Sequence, residues 1–406
     1  MKRILMLGGA FAQIPAIQYA KNAGYYVITC DYLPDNPGHR YADEYHNIST
    51  TDLDGVLNLA ASLDIDGIVA YASDPAAVTA SYVAEKLGLP GNPLNVTRIL
   101  SEKDHFRKFL QDHNFDTPKA QACSEGEDIA LDPTLSWPLI VKPVDSSGSK
   151  GVTIIREESE LDGAISYALD YSRAKKAIIE EYIDSPIKQI HGDCFVLDGS
   201  MIMCCLGDHH FRDGTLAPYS TTLPSTQNEE TIKRIEDEIV RFISLSGFKN
   251  GAINIEARIG FDDKVYLIDI GARNGGNFIP QLVHCATGFD EVGATIEAAL
   301  GDYDMIENSR EYPVRGCYSY YVIGSTVDGK IKDIRYSEKI QGMIVQENLY
   351  KKPGDTVDCF KNSGNTIGVL ILRYKDMFEM KKVINSIDEH VKVVVERSTV
   401  DGSQGE

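Results

Sequence analysis

Hydrophobic and polar positions alternate between strand-like and helix-like spacing along the first 95 or so residues of this chain. Arg3–Leu7 is a short apolar run closed by Gly8-Gly9, the pattern of a buried strand and a tight turn. Helical spacing follows over Ile14–Ala23, with Pro15 in the first turn and Gly24 as a stop. A strand is expected at Tyr26–Cys30, a helix at Leu53–Leu63, a strand at Gly67–Tyr71 and a helix at Pro75–Leu87, stopped by Gly88. Strands alternating with helices predict a parallel sheet with right-handed crossovers. Residues 1–95 are therefore expected to form a Rossmann-like α/β domain.

The alternation then gives way to longer runs. Thr97–His113 predicts one helix, capped by Thr97, with Ile99, Leu100, Phe106, Phe109 and Leu110 on its apolar stripe. Expected strands at Pro138–Lys142 and Val152–Arg156 flank a loop of small residues, Asp145–Gly151. A helix at Leu161–Ser172 and a strand at Ala177–Ile183 complete a small α+β lid, about residues 119–185. Asp193–Leu197 and Ser200–Leu206 predict a hairpin around Asp198-Gly199. Glu229–Ser246 is a long amphipathic helix, and Ala252–Arg258 and Lys264–Ile270 are expected as neighbouring strands. Beyond about 308 the pattern is mixed strands with one helix, Met377–Ile387, and a polar tail from Thr399 expected to fray. The fold class expected is thus α/β and α+β multidomain, divided as 1–95, 96–305 and 306–406.

Charge and cysteine usage narrow the function. A net charge of -20 leaves no global field to draw nucleic acid or an anionic membrane, so an anionic substrate needs local cations and a metal. No run of about 18 apolar residues exists for a membrane span. Lys2-Arg3, the run that follows, and Ala10-Phe11-Ala12 imitate a secretory signal, but its apolar core is shorter than the roughly 7–15 residues required. The eight cysteines form no C-x-x-C pair and are expected as reduced thiols of a cytoplasmic protein.

Five places carry candidate chemistry. Gly8-Gly9-Ala10-Phe11-Ala12-Gln13, with Asp31 behind it, imitates a dinucleotide fingerprint but lacks the later glycines, so a tight turn is the expectation. Lys142 ends an apolar strand before Pro143 and is expected to point from the sheet edge into a cleft. The loop after it, Asp145-Ser146-Ser147-Gly148-Ser149-Lys150-Gly151, can wrap phosphate oxygens with N–H groups and hydroxyls, although it lacks Walker A spacing. Glu180-Glu181-Tyr182-Ile183 ends a strand, where an extended backbone can pair with an adenine edge. Glu256 and Asp269 lie on consecutive strands among apolar neighbours, and paired strands can converge two carboxylates on one divalent ion. Arg273, in Gly271-Ala272-Arg273-Asn274-Gly275-Gly276, offers a guanidinium fork for phosphate or carboxylate. Each has a plainer reading: a solvated hairpin, an acidic strand end, a salt-bridged rim acid, a turn with a surface arginine. His209, His210 and Arg212 are expected in a polar loop.

The order of these pieces resembles the ATP-grasp superfamily along nearly the whole chain. SEKDHFRKFLQDHNFDTP (101–118) resembles its entry helix, with Lys103 as the first nucleotide-binding lysine. PLIVKPVDSSGSKGV (138–152) resembles the second lysine strand and phosphate loop, IIEEYI (178–183) the adenine hinge, and INIEARIG with VYLIDIGARNGG (253–276) the metal strands and following arginine. The N-terminal stretch 4–31 resembles the pre-grasp domain of purine-biosynthesis members and of the carbamoyl-phosphate synthetase large subunit.

The resemblance implies a pre-ATP-grasp domain, a two-lobed ATP-grasp fold and a C-terminal α+β region completing the large lobe. It implies ATP with Mg²⁺, or Mn²⁺ in its place. Lys103, Lys142, Ser146, Ser147, Gly148, Ser149 and Gly151 would then hold phosphates, Glu180, Glu181, Tyr182 and Ile183 adenine, and Gln189 or His191 the ribose. Glu256 and Asp269 would hold metal, and Arg273 with Lys142 would serve the chemistry. The implied reaction activates a carboxylate as an acyl phosphate for attack by an amine, with amino acids among the substrates. Asp269 replaces the usual Glu and Gly271 the usual Asn, which leaves one or two metal ions open. A bicarbonate- or carbamate-using carboxylase, a carbamoyl-phosphate-synthetase-like enzyme and a non-catalytic nucleotide-binding regulatory module also stay open. Small carboxylate and amine partners are expected, without nucleic acid or membrane; homodimers are common for such enzymes.

Overall fold

A computed structural model of the 406-residue chain describes residues 1–127, 129–212, 215–306 and 311–396; the polar tail from Thr399 lies outside them. The first layer is a parallel sheet of β1 (Arg3–Leu7), β2 (Tyr26–Cys30), β3 (Glu44–His46) and β4 (Gly67–Val69), in the order β3-β2-β1-β4. Its crossovers include α1 (Ile14–Asn22) and α2 (Leu53–Leu63); α3 (Asp74–Leu87) follows β4. The apolar runs are continuous because both faces are covered: Leu5 and Leu7 pack into one core cluster, Ile4 and Met6 into another. Asp52 caps α2 by accepting the Gly55 N–H, and Gly88 ends α3 in the left-handed conformation.

The helix expected at Thr97–His113 is two helices, α4 (Leu94–Ser101) and α5 (Lys103–Asp112). Glu102 between them is extended (φ -122°, ψ 110°), and the Lys103 N–H leaves the helical ladder to donate to the Val144 carbonyl at 3.0 Å. The apolar stripe runs through this break, so periodicity could not reveal it. Thr97 is not a cap: it lies inside α4, where its hydroxyl bonds Ser81 at 2.7 Å.

The next layer holds β5 (Ala120–Ser124), β6 (Leu139–Pro143), β7 (Thr153–Ile155), α6 (Leu161–Asp170) and β8 (Lys176–Glu181), with sheet order β5-β8-β6-β7. Pro143 does not end the pairing; it stands opposite Ala177, because proline lacks only the donor. Lys142 therefore lies on an inner strand rather than at a sheet edge.

The largest sheet is built from β9 (Ile190–Leu197), β10 (Ser200–Phe211), β11 (Pro218–Leu223), β12 (Gly251–Ile259) and β13 (Val265–Gly271), with α7 (Glu229–Ser246) between β11 and β12. Helices α8 (Ile279–Thr287) and α9 (Glu291–Ala299) follow. The chain then adds β14 (Cys317–Ile323), β15 (Gly329–Tyr336), α10 (Glu338–Gln341), β16 (Ile344–Leu349), β17 (Thr356–Val357), β18 (Gly368–Tyr374), α11 (Met377–Asn385), α12 (Ile387–His390) and β19 (Val391–Glu396). The eight-stranded order is β13-β12-β9-β10-β11-β14-β18-β16, and β17-β15-β19 form a small separate sheet. The C-terminal strands β14, β18 and β16 thus extend the large sheet. The expected helix over Met377–Ile387 divides at Ser386. The expected hairpin is longer, and His209 and His210 sit buried in β10, not in a loop. No helix among the described residues is long and apolar enough to cross a membrane.

Candidate active site

Lys142 and Arg107 meet a shared acid. Lys142 projects from β6 and donates to Glu180 Oε2 at 2.7 Å. Arg107, one helical turn beyond Lys103, donates from Nε to Glu180 Oε1 at 2.9 Å and from its terminal nitrogens to the carbonyls of Leu267 and Ile268 at 3.2 and 2.6 Å. All three side chains are buried. Burial raises the Glu180 carboxyl, but the charges of Arg107 and Lys142 outweigh it and hold the pKa down at about 2. One carboxylate cannot neutralise two cations, and burial with Arg107 beside it pushes the Lys142 ammonium down. The cleft thus carries cationic charge in excess, which suits phosphate. Sequence reasoning missed Arg107; its signal was a charge on the apolar stripe between Phe106 and Phe109.

Lys103 donates to the Ser146 carbonyl at 2.8 Å and so ties α5 to the loop 145–151. Ser149 donates to the Leu216 carbonyl at 2.8 Å, and the Ser363 N–H reaches the Gly148 carbonyl at 3.3 Å. Gly148 is left-handed (φ +68°), and a Cβ there would overlap the Ser363 hydroxyl. The loop thus lies against the large lobe. Gly151 is also left-handed, with Pro143 and Tyr171 against it, and serves the turn.

Glu256 and Asp269 stand directly opposite each other on β12 and β13. Neither forms an ion pair among the described residues. Glu256 Oε2 accepts from Gln189 at 2.9 Å, and Gln189 in turn accepts from Arg258 at 2.8 Å. Burial first, then the neighbouring Asp269 charge, raises the Glu256 pKa. Two half-buried hard-oxygen donors that repel each other are a donor set that fits a Mg²⁺-class ion.

Lys103, Lys142, Ser146–Ser149, Gln189, Glu256, Arg258 and Asp269 line one cleft. Tyr182 lines an adjoining recess that shares Gln189 and Arg258. In the hinge stretch, the Tyr182 N–H goes to the Pro138 carbonyl, the Glu181 N–H to Lys119, and the Ile183 carbonyl accepts from Arg258 at 2.7 Å. The Glu181 carboxylate accepts from Ser136 N–H. His191 is turned away onto Thr221 and Asn254 and stacks on His209 at 4.1 Å; burial drops its pKa to about 3. Arg273 is held outside the cleft by a two-pronged ion pair with Asp74, both contacts at 2.7 Å. The Asp31 carboxylate is used internally, by Gly9 N–H, Leu33 N–H and Asn36. His39 fills the space over Gly9.

Two lobes flank a cationic cleft, with a small-residue loop on one side and paired carboxylates on the other, the layout of an ATP-grasp fold. Residues 135–281 match the family model of the ATP-grasp domain. That match spans the cleft strands from Leu139 to Gly271 and the arginine after them, and over it the chain is similar to ATP-grasp ligases. An uncharacterised protein of Sinorhizobium fredii is 26% identical over 85% of this chain and 73% of its own length. A formate-dependent phosphoribosylglycinamide formyltransferase of Prochlorococcus marinus is 27% identical over 52% of this chain, which spans 56% of that enzyme. An L-amino acid ligase of Bacillus licheniformis superposes with a TM-score of 0.84 at 20% identity, covering 98% of this chain and 99% of that one. That last likeness is one of fold.

Proposed function

We propose that the chain is an ATP-dependent carboxylate–amine ligase. The observation that carries this reading is the pairing, across one cleft, of excess lysine charge with the in-register carboxylates Glu256 and Asp269. Lys103, Lys142 and the amides of 145–151 would hold the phosphates, and Tyr182–Ile183 with Gln189 would meet the nucleoside end. Glu256 and Asp269 would hold Mg²⁺, or Mn²⁺ in its place. Bound there, the ion supplies charge neutralisation for the phosphates. Glu180, pinned by Arg107, fixes the Lys142 ammonium where charge develops during phosphoryl transfer, so no reorganisation accompanies the step. Arg273 would exchange its bond to Asp74 for one to the reacting carboxylate and orient it for phosphorylation. The loop 145–151, lying against Leu216 and Ser363, would keep water from the acyl phosphate until an amine displaces phosphate.

The test is ADP release with Mg-ATP against single and paired amino acids, other small carboxylates and bicarbonate. ADP that appears only with an acid–amine pair supports the ligase. Dependence on bicarbonate moves the reading to a carboxylase, and ATP binding without turnover in any mixture moves it to a regulatory module.

A further inference from the structure

Cys194 on β9 and Cys204 on β10 stand directly opposite each other in the antiparallel pair. Their sulfurs are 3.2 Å apart. Opposed residues of such a pair have Cα atoms about 4.5–5.5 Å apart. A disulfide needs about 4.4–6.8 Å, so the strands already hold these thiols where a bond closes without backbone movement. Both lie on the sheet face that α7 covers, with Leu206, Ile235 and Ile239. Cys205, the next residue, belongs to the opposite core cluster with Phe195 and Leu223.

The two thiols differ in access. Cys194 is fully buried. Cys204 is half-buried and lines an open groove with Pro224, Ile232 and Val314. Glu229, Glu230 and Glu236 also line this groove, and its Lys233 is paired with Asp237. The groove therefore carries a negative field, which favours neutral or cationic entrants over anions. The hydrogen bond that Cys194 donates to Cys204, and then burial, push the Cys194 thiol well up. Access and acidity thus give the same order: Cys204 reacts first and Cys194 second.

We propose that Cys194 and Cys204 form a dithiol modification site, which takes small neutral or cationic disulfides through the groove and closes a disulfide between β9 and β10. The Cys204 thiolate attacks one sulfur of the small disulfide and releases its other half as a thiol. Cys194 then attacks the Cys204 sulfur and releases the second half. Two protein thiols are oxidised, one small disulfide is reduced to two thiols, and both protons leave on those thiols. Neither step draws on ATP or its substrates. Cys359 is also half-buried, but its sulfur bonds the Thr326 carbonyl, so a reaction there stops at the mixed disulfide.

The test treats the full, folded chain with cystamine, a dication, or with dithiodipropionate, a dianion of similar length. Remaining thiols are then blocked, and the chain is cleaved before Asp193, Asp198 and Asp208 without reduction. That cleavage separates Cys194 from Cys204. After cystamine the two fragments should be joined, with the loss of two hydrogens and no cysteamine retained. In Cys194→Ser, Cys204 should keep one cysteamine. In Cys205→Ser the fragments should still be joined. Retention of cysteamine on Cys204 of the unaltered chain overturns the proposal, as do both thiols remaining free after Cys359 has reacted, or loss of the link in a folded Cys205→Ser. The map of the unaltered chain decides even if a variant fails to fold. Each reagent's rate is normalised to its rate with uncharged mercaptoethanol. On that scale cystamine should react at Cys204 at least about threefold faster than dithiodipropionate at low salt, and the ratio should shrink as salt rises. Equal normalised rates overturn the selection by charge.

Discussion

Replacing Arg107 with methionine tests the electrostatic centre of the site. Methionine keeps an apolar, flexible chain between Phe106 and Phe109 and removes the guanidinium. Glu180 would then have Lys142 alone, and the carbonyls of Leu267 and Ile268 would lose their donor. Removing one partner of a buried ion pair costs about 3–5 kcal/mol, because the other is left in low dielectric. The same interaction is visible through pH. Glu180 titrates at about 2 in the fold against 4.5 for an ordinary glutamate. Its stabilisation is therefore complete above about 4.5 and is lost as pH falls from there toward 2; a shift of that size corresponds to about 3 kcal/mol. In Arg107→Met the folded-state value should rise back toward 4.5, so the step flattens. Urea unfolding followed at pH 7 and at several pH values down to 2.5 measures both effects. A variant within about 1 kcal/mol of the parent at pH 7, with an unchanged acid limb, would refute the reasoning.

Three further outcomes are expected. Lys142→Ala should lower ADP release by about 10²–10³-fold, the loss typical of one preorganised charge-stabilising donor, while far-UV circular dichroism is unchanged; normal turnover removes its phosphate role. Glu256→Gln should raise the Mg²⁺ concentration for half-maximal ADP release by at least about tenfold, and an unaltered metal titration places the ion elsewhere. Gly148→Ala introduces a Cβ at a left-handed residue against Ser363. Turnover should fall by about tenfold or more through loss of loop closure, checked by ADP release and by protease sensitivity of the loop.

What the sequence determined alone was local chemistry and order. Strand β1, its glycine turn and helix α1 follow from short-range periodicity, because a buried parallel strand must be apolar on both faces. Lys142, the loop 145–151 and the acids Glu256 and Asp269 could be singled out because each carries its signal within a few residues, and Lys103 through the resemblance of its helix. The missing glycines after Gly9 made a tight turn the expectation, and His39 and Asp31 fill that space in the fold.

Tertiary structure decided whatever depends on partners distant in sequence. The break at Glu102 exists because Val144 accepts the Lys103 N–H, and a stripe of apolar residues contains no record of that carbonyl. Arg107 went unnoticed on its helix because its partner, Glu180, lies 73 residues on. His209 and His210 read as a polar loop, yet β11 and β9 pair with β10 on either side and bury them. Arg273 was legible as a ligand for an anion, but its partner Asp74 is 199 residues away on another layer. Long-range electrostatics in a closed cleft are set by the packing of layers, and periodicity reads only one layer at a time.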